Sequence, residues 1–479
     1  MKKIACTFLA VFFLFGLGCR LTGSSGQGYI VYSAVGEDGK PLSELVVLDP
    51  NGKELRRITM PADEKYGNLY ITNAYHHPSH QAFVYTPGGV HYLIDVTSGE
   101  VKPVHMPGVS AIQGDANPLY ICPRLSIAGE HWTVLCQDNT PYLVNLETAE
   151  VYAGLPQSAE DKILPFEMAF SPDESYLSIR TNEGIFILPP ASPEDIRQVG
   201  ESDKILYVDF SADNKRIVYI RPADSQGYEV IVENVDGSKS GVMHTSEKMM
   251  QAVFVPGKDQ ILVIEREKIL LLSLSNRIEK EFPALAISAY RPLFSPDGQQ
   301  ALLGYNDFEA GVNRWQWLEL KRGIAEELPE LEGYRTGPTF RGQRWITFND
   351  INPGSRQEEA HLVSVDLQTG SVQTLVTLEN ILQYYENSIS ANGNSRTAIV
   401  FTTESQMQLW LLDLAGGEAR LLVEDTSVRG EISPDGKRVL VYSRHRDGER
   451  FENKIELQDI SGKTLKSLGE GFSPFWVWP

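Results

Sequence analysis

Positive charge is scarce in this sequence. Lys and Arg number 43 against 63 Asp and Glu, a net charge of −20 over 479 residues. A surface that tracks nucleic acid needs a basic stripe, so nucleic acid is not expected as a partner. Broad electrostatic adhesion to an anionic membrane is disfavoured for the same reason. Cysteine is scarce too, at four. None stands in a C-x-x-C pair or at metal-ligand spacing, which argues against a dithiol redox centre or a zinc site. After residue 17 no long apolar run occurs, and no stretch of 11–18 residues keeps a helical period. That argues against a helical fold and against further membrane-spanning helices.

Catalytic motifs are missing as well. "GSKSG" at Gly237 has Lys239 where the serine of G-x-S-x-G would stand. H-E-x-x-H, P-loop and sialidase Asp-box patterns are absent. With no α/β-hydrolase-like tail after the repeats in this sequence, a complete member of the prolyl oligopeptidase group is not expected. The densest histidines, His76, His77 and His80 in "YHHPSH", read better as a degenerate turn than as a metal site. No motif calls for a cofactor or a metal.

What is present begins with an address. Lys2 and Lys3 precede an apolar run over 4–17, and "FGLGC" ends it at Cys19. This stretch resembles the lipobox of bacterial lipoproteins, with Gly16 where Leu is common. The resemblance implies a signal peptide over 1–18, lipidation of Cys19 and an extracytoplasmic, membrane-anchored protein of the cell envelope. "RLTGSSGQG" then gives a flexible tether over 19–28. In an exported chain a disulfide can persist, and the two remaining cysteines, Cys122 and Cys136, are expected to bridge within one hairpin.

The rest, 29–479, is a repeat. A short strand ending in Phe or Ile runs into a turn: "FSPDES" at Phe170, "FSADNK" at Phe210, "FVPGKD" at Phe254, "FSPDGQ" at Phe294. "FRGQRW" at Phe340, "ISANGN" at Ile389 and "ISPDGK" at Ile432 continue it, and "HHPSHQ" at His76 and "RLSIAGE" at Arg124 are weaker copies. From Phe170 onward the turn recurs every 40–49 residues, the period of a four-stranded propeller blade. Second strands follow, such as "QILVI" from Gln260 and "RVLVY" from Arg438. Third strands close on an acid and a glycine turn, such as "LWLLDLAGGE" from Leu409 and "IELQDISGK" from Ile455. "GYIVYSA" at Gly28 enters in the second-strand position, while "GFSPFWVWP" over 471–479 is a first strand with nothing after it. The two orphans are complementary. The expected fold is an all-β propeller of about ten four-stranded blades, closed by the C-terminal strand joining the N-terminal blade; two interlocked smaller rings are the alternative.

These residues resemble the WD-repeat-like propeller repeats of the TolB family, whose signature is a Ser-Pro-Asp-Gly turn followed by an "LWLLDL-GG" strand. The resemblance covers nearly the whole mature chain and implies protein or peptide binding at a channel mouth. The Ser-Pro-Asp-Gly turn itself degenerates too freely to be a ligand site and reads as a corner that each blade needs. Three residues before the strand-ending Phe or Ile stand Glu167, Tyr207, Gln251, Arg291, Gly337, Glu386 and Arg429, with Tyr290, Tyr334 and Tyr385 nearby. Arg291, Glu386 and Arg429 with these tyrosines are the candidate ligand-binding mouth, since Tyr and Arg are favoured anchors. The competing reading is that these charges pair between blades and stiffen the ring. The functional expectation is an envelope protein- or peptide-binding module. The alternative is a lyase or hydrolase acting on saccharide or peptide from the channel mouth.

Overall fold

The computed structural model describes residues 28–477, leaving aside 37–39, 62–72, 78–80, 86–90, 105–119, 122–130, 138–139, 156–166, 182, 200–205, 224–225, 276, 286–290, 296, 308–311, 333–338, 342–343, 350–356, 390–395, 404–405 and 448–449. The described residues form antiparallel strands with one 3-10 turn at Pro329–Leu331 and no α-helix. The strands make ten four-stranded units, numbered here as sheets 1 to 10 along the chain. Sheet 5 is typical: Leu206–Phe210, Arg216–Pro222, Tyr228–Asn234 and Ser240–Ser246, each hydrogen-bonded to the next. Sheet 6 follows with Gln251–Phe254, Gln260–Ile264, Lys268–Ser273 and Arg277–Pro283. Sheet 7 begins with Leu293–Phe294, and sheet 10 runs from Ser427–Ile432 to Thr464–Gly469.

Second and third strands are apolar on both faces. "QILVI" and "KILLLS" are buried throughout except at their ends, because both faces of a sheet pack on neighbouring sheets. The fourth strand shows the opposite: "RIEKEFP" is exposed at all but Phe282. The core therefore lies between sheets. Val253, Leu262, Ile269 and Phe282 of sheet 6 share one cluster with Ala301, Leu303, Tyr305 and Leu318 of sheet 7. Among the described residues, equivalent clusters join nine successive pairs, including sheet 10 to sheet 1 through Leu440, Tyr442, Ile455, Ile30 and Trp476.

Sheet 1 takes strands from both ends of the chain. Phe472–Val477 pairs antiparallel with Tyr29–Val35, Trp476 opposite Ile30 and Val477 opposite Tyr29. Around the rim, side chains of one fourth strand reach the turn after the third strand of the next sheet. Arg197 donates to the Val235 carbonyl at 2.7 Å, Arg420 to that of Ser461, and Lys466 to that of Gly52 at 2.7 Å. The last of these crosses from sheet 10 to sheet 1.

Sheets 8 and 9 depart from the regular unit. They share the 18-residue strand Val372–Ile389, which is the fourth strand of one and the first of the other, in a continuous seven-stranded sheet. Its sequence, "VQTLVTLENILQYYENSI", carries no Gly or Pro to break it.

The repeated turn is internally saturated. Ser171, Ser211, Ser295 and Ser433 donate to Asp173, Asp213, Asp297 and Asp435 at 3.0, 2.5, 2.7 and 2.6 Å. The same hydroxyls accept the N–H of Tyr176, Arg216, Gln300 and Arg438 at 2.9–3.0 Å. Gly298 and Gly436 supply φ values of 62° and 66° there. A Cβ on Gly298 would stand 2.3 Å from the Pro256 carbonyl oxygen. The turn's polar side chains are thus engaged in holding the corner.

Candidate ligand-binding channel

First strands lie innermost, and successive ones pack together, as Leu206–Phe210 does on Gln251–Phe254. Two of them carry an acid one residue before the strand end, where Ala169, Val253 and Leu293 stand in other sheets. In sheet 5 this is Asp209, whose Oδ2 accepts the Phe254 N–H of sheet 6 at 2.8 Å. In sheet 10 it is Glu431, whose Oε2 accepts the Trp476 N–H of sheet 1 at 2.7 Å; the indole Nε1–H of Trp476 donates to the Glu431 carbonyl at 3.3 Å. The positions are equivalent: Asp209 and Glu431 precede residues paired with Ile217 and Val439, the second residues of their second strands. Each acid therefore ties its innermost strand to that of the next sheet, and the two stations lie five sheets apart.

Their electrostatics follow from burial. Burial pushes the Asp209 carboxyl up, and the Arg291 guanidinium and the Phe254 and Phe210 N–H groups pull it part of the way back. Arg291 forms an ion pair with it from sheet 7, its own side chain 52% exposed against 12% for Asp209. Burial pushes Glu431 up to about 8, against the opposing pull of the Trp476 N–H and of Arg429. Arg429 is exposed, sits opposite Tyr442 and makes no ion pair among the described residues. Arg291 is thus in contact with its carboxylate, whereas Arg429 acts on Glu431 only at longer range. An exposed guanidinium with no carboxylate partner can bind a carboxylate bidentately.

The remaining expected residues are placed only in part. Tyr385 and Glu386 lie on Val372–Ile389 opposite Val400 and Ile399, with side chains outside the described set. Tyr290, Tyr334, Cys19 and Cys122 lie outside the described residues. Cys136 pairs with Tyr120, two residues before Cys122, and its side chain also lies outside them. Gln251 is buried. His76 and His77 face Ala82 and Gln81 across a strand pair, and His80 lies outside the described residues. Among the described residues no three His, Cys, Asp or Glu come together as a metal site.

Asp209 and Glu431 were not among the expected site residues. The sequence signal for them was an acid inside a buried strand, in "LYVDF" and "VRGEI", at a place that Ala169, Val253 and Leu293 hold in other repeats.

No protein-family model and no curated protein matches the chain. Among solved structures, the chain is similar to dihydro-heme d1 dehydrogenase NirN in complex with DHE, at 13% identity over 74% of this chain and 77% of that one, TM-score 0.41. An oligogalacturonate lyase in complex with manganese matches at 12% identity over 82% and 97%, TM-score 0.37. TolB from Acinetobacter baumannii matches at 17% identity over 65% and 81%, TM-score 0.26.

Proposed function

We propose that this chain is a cell-envelope binding module, lipidated at Cys19, whose ten sheets form one closed ring with a channel mouth that receives a peptide or a loop of a partner protein. The observation that carries the reading is asymmetry. The turns repeat from sheet to sheet, whereas the charges on the innermost strands do not: Asp209 with Arg291 in one region, Glu431 with an uncommitted Arg429 in another. An asymmetric ligand needs unlike contacts around a ring, and a purely structural repeat does not. Arg429 is the anchor for a carboxylate of the partner, with Tyr290, Tyr334, Tyr385 and Glu386 as further contacts. The net charge of −20 repels acidic partners at long range, so recognition is short-range and local. Cys122 and Cys136 form a bridge in sheet 3, and thiol titration of the unreduced, denatured protein tests it.

The test is co-purification from membranes after crosslinking, with Arg429→Ala compared against paired turn variants Asp297→Ala and Asp435→Ala. Arg429→Ala should melt like wild type and lose partner capture. The turn variants should lose stability and retain capture in the folded fraction. Capture unaffected by Arg429→Ala, or abolished by turn variants that melt normally, overturns the reading. Membrane fractionation of Cys19→Ala tests the anchor: detergent partitioning unchanged from wild type would refute it.

A further inference from the structure

Grooves open between neighbouring sheets on the face that bears the repeated turns, and they can be compared as equivalents. Between sheets 5 and 6, a groove of about 570 Å³ is lined by Lys215, Arg216 and Lys239 together with Asp213 and Asp236. Two carboxylates stand among its three cations, and Arg216 bridges Asp213 at 3.1 Å and also Asp259 at 3.0 Å. Between sheets 9 and 10, a groove of about 210 Å³ holds Arg396, paired to Asp413 at 3.3 Å, and Arg420, bound to the Ser461 carbonyl.

The groove between sheets 6 and 7 differs. It measures about 390 Å³ and is rimmed by Lys258, Lys280 and Lys321, over a floor of Leu271 and Leu320, each leucine 3% exposed. None of the three lysines makes an ion pair among the described residues. The acids close by direct their hydrogen bonds to other groups. Glu279 accepts the Gln260 amide. Asp297, which feels the charge of Lys258, takes the Ser295 hydroxyl at 2.7 Å, the Gln299 N–H at 3.0 Å and the Gln299 amide at 2.9 Å. Lys280 lies over the Gly323 turn, where an added Cβ would stand 3.5 Å from its Cδ and 3.9 Å from its Nζ. Three lysines line this concavity against one carboxylate, Glu279, so like charges gathered around it raise each other's electrostatic energy. On a chain of net charge −20 such a place is an exception that a bound anion would relieve.

We propose that this groove is a binding site for a small phosphate-ester ligand, with Lys258, Lys280 and Lys321 on the oxyanion and Leu271 and Leu320 under the carbon skeleton. Lysine binds phosphate as a compact point charge with three donors. The volume is at the small end of ligand cavities and suits a single phosphorylated unit rather than a polymer. A soluble sugar phosphate and the headgroup phosphate of a lipid carry the same chemistry, and the experiment separates them.

The full chain in detergent is titrated calorimetrically at low salt with glucose 6-phosphate, with glucose, and with short-chain phosphatidylglycerol below its micelle concentration. Saturable binding of a phosphorylated probe but not of glucose is expected, weakening with added salt. Preference for glucose 6-phosphate identifies a soluble ligand, and preference for the phosphatidylglycerol a lipid one. The double variant Lys258→Gln, Lys321→Gln alters two exposed turn residues and should melt like wild type while binding at least tenfold more weakly. Lys215→Gln, in the neighbouring groove, should bind as wild type. Failure of both phosphorylated probes to bind, equal binding by the double variant, or an equal loss in Lys215→Gln overturns the proposal.

Discussion

Sheets 5 and 10 bury a carboxylate at the same place and neutralise it differently. Asp209 has a guanidinium in contact, sent across sheet 6 from Arg291. Glu431 has only the longer-range pull of Arg429 and a backbone N–H, and is driven up to about 8. Both perform one mechanical task, accepting an amide of the next innermost strand. The difference teaches that the two arginines expected at the mouth are not equivalent. Arg291 is ion-paired to Asp209 of sheet 5, while Arg429 makes no ion pair among the described residues and is the one proposed above to meet a ligand. A carboxylate desolvated without a contact cation adopts its neutral form, and a neutral carboxyl still accepts a hydrogen bond.

The most severe way to break the comparison is to remove the strand that Glu431 holds. Deleting 471–479 withdraws Phe475, Trp476 and Val477, which are 5%, 0% and 1% exposed. At about 1.5–3 kcal/mol for each fully buried apolar side chain, the loss is on the order of 5–9 kcal/mol. A calorimetric scan should show a lost or strongly lowered cooperative transition, and a wild-type melt would contradict the role of this strand. Next comes Asp209→Ala, which leaves the Phe254 N–H unsatisfied at a cost of about 1–3 kcal/mol. Adding Arg291→Ala should recover part of that loss, read as a coupling energy in a denaturant double-mutant cycle. Independent, additive losses would mean that the ion pair does not matter to the frame.

Glu431→Gln sharpens the comparison through pH. The folded carboxyl titrates near 8 against an ordinary value of 4.5, so between these values the folded state holds a proton that the unfolded state has released. Its contribution is therefore fully present below about 4.5 and declines as pH rises towards 8. The glutamine variant keeps an acceptor for the Trp476 N–H and loses the titration. Its melting temperature should exceed wild type by a margin that grows from pH 5 to pH 8. A constant margin would show that Glu431 is not protonated in the fold. The smallest effect is expected at a corner. Asp297→Asn keeps one acceptor for Ser295 and Gln299 and should cost about 1 kcal/mol, with capture of the partner unchanged.

The repeat was legible because its punctuation is local. Ser-Pro-Asp-Gly at 295–298 and 433–436 announces a turn from four adjacent residues, and alternation around it gives the strands. Val372–Ile389 escaped for the converse reason: with no turn residue, nothing local marks where one sheet hands the strand to the next. Arg291 was visible as a polar residue in an apolar strand, but its partner is 82 positions away, and no local pattern names a partner at that separation. Asp209 and Glu431 could be seen as misplaced acids. Their role could not, because the amide each accepts lies in a different repeat.

The pairing of Tyr29 with Val477 also fixes an order of events. A chain made from its N-terminus presents Tyr29–Val35 long before its neighbour, Phe472–Val477, arrives. Until then the first sheet has three strands and an open edge whose N–H and C=O groups can template pairing with another chain. A premature stop anywhere upstream leaves that edge uncovered for the lifetime of the product. Arrival of Phe472–Val477 is thus written into the surface itself, where proteases and chaperones can read it.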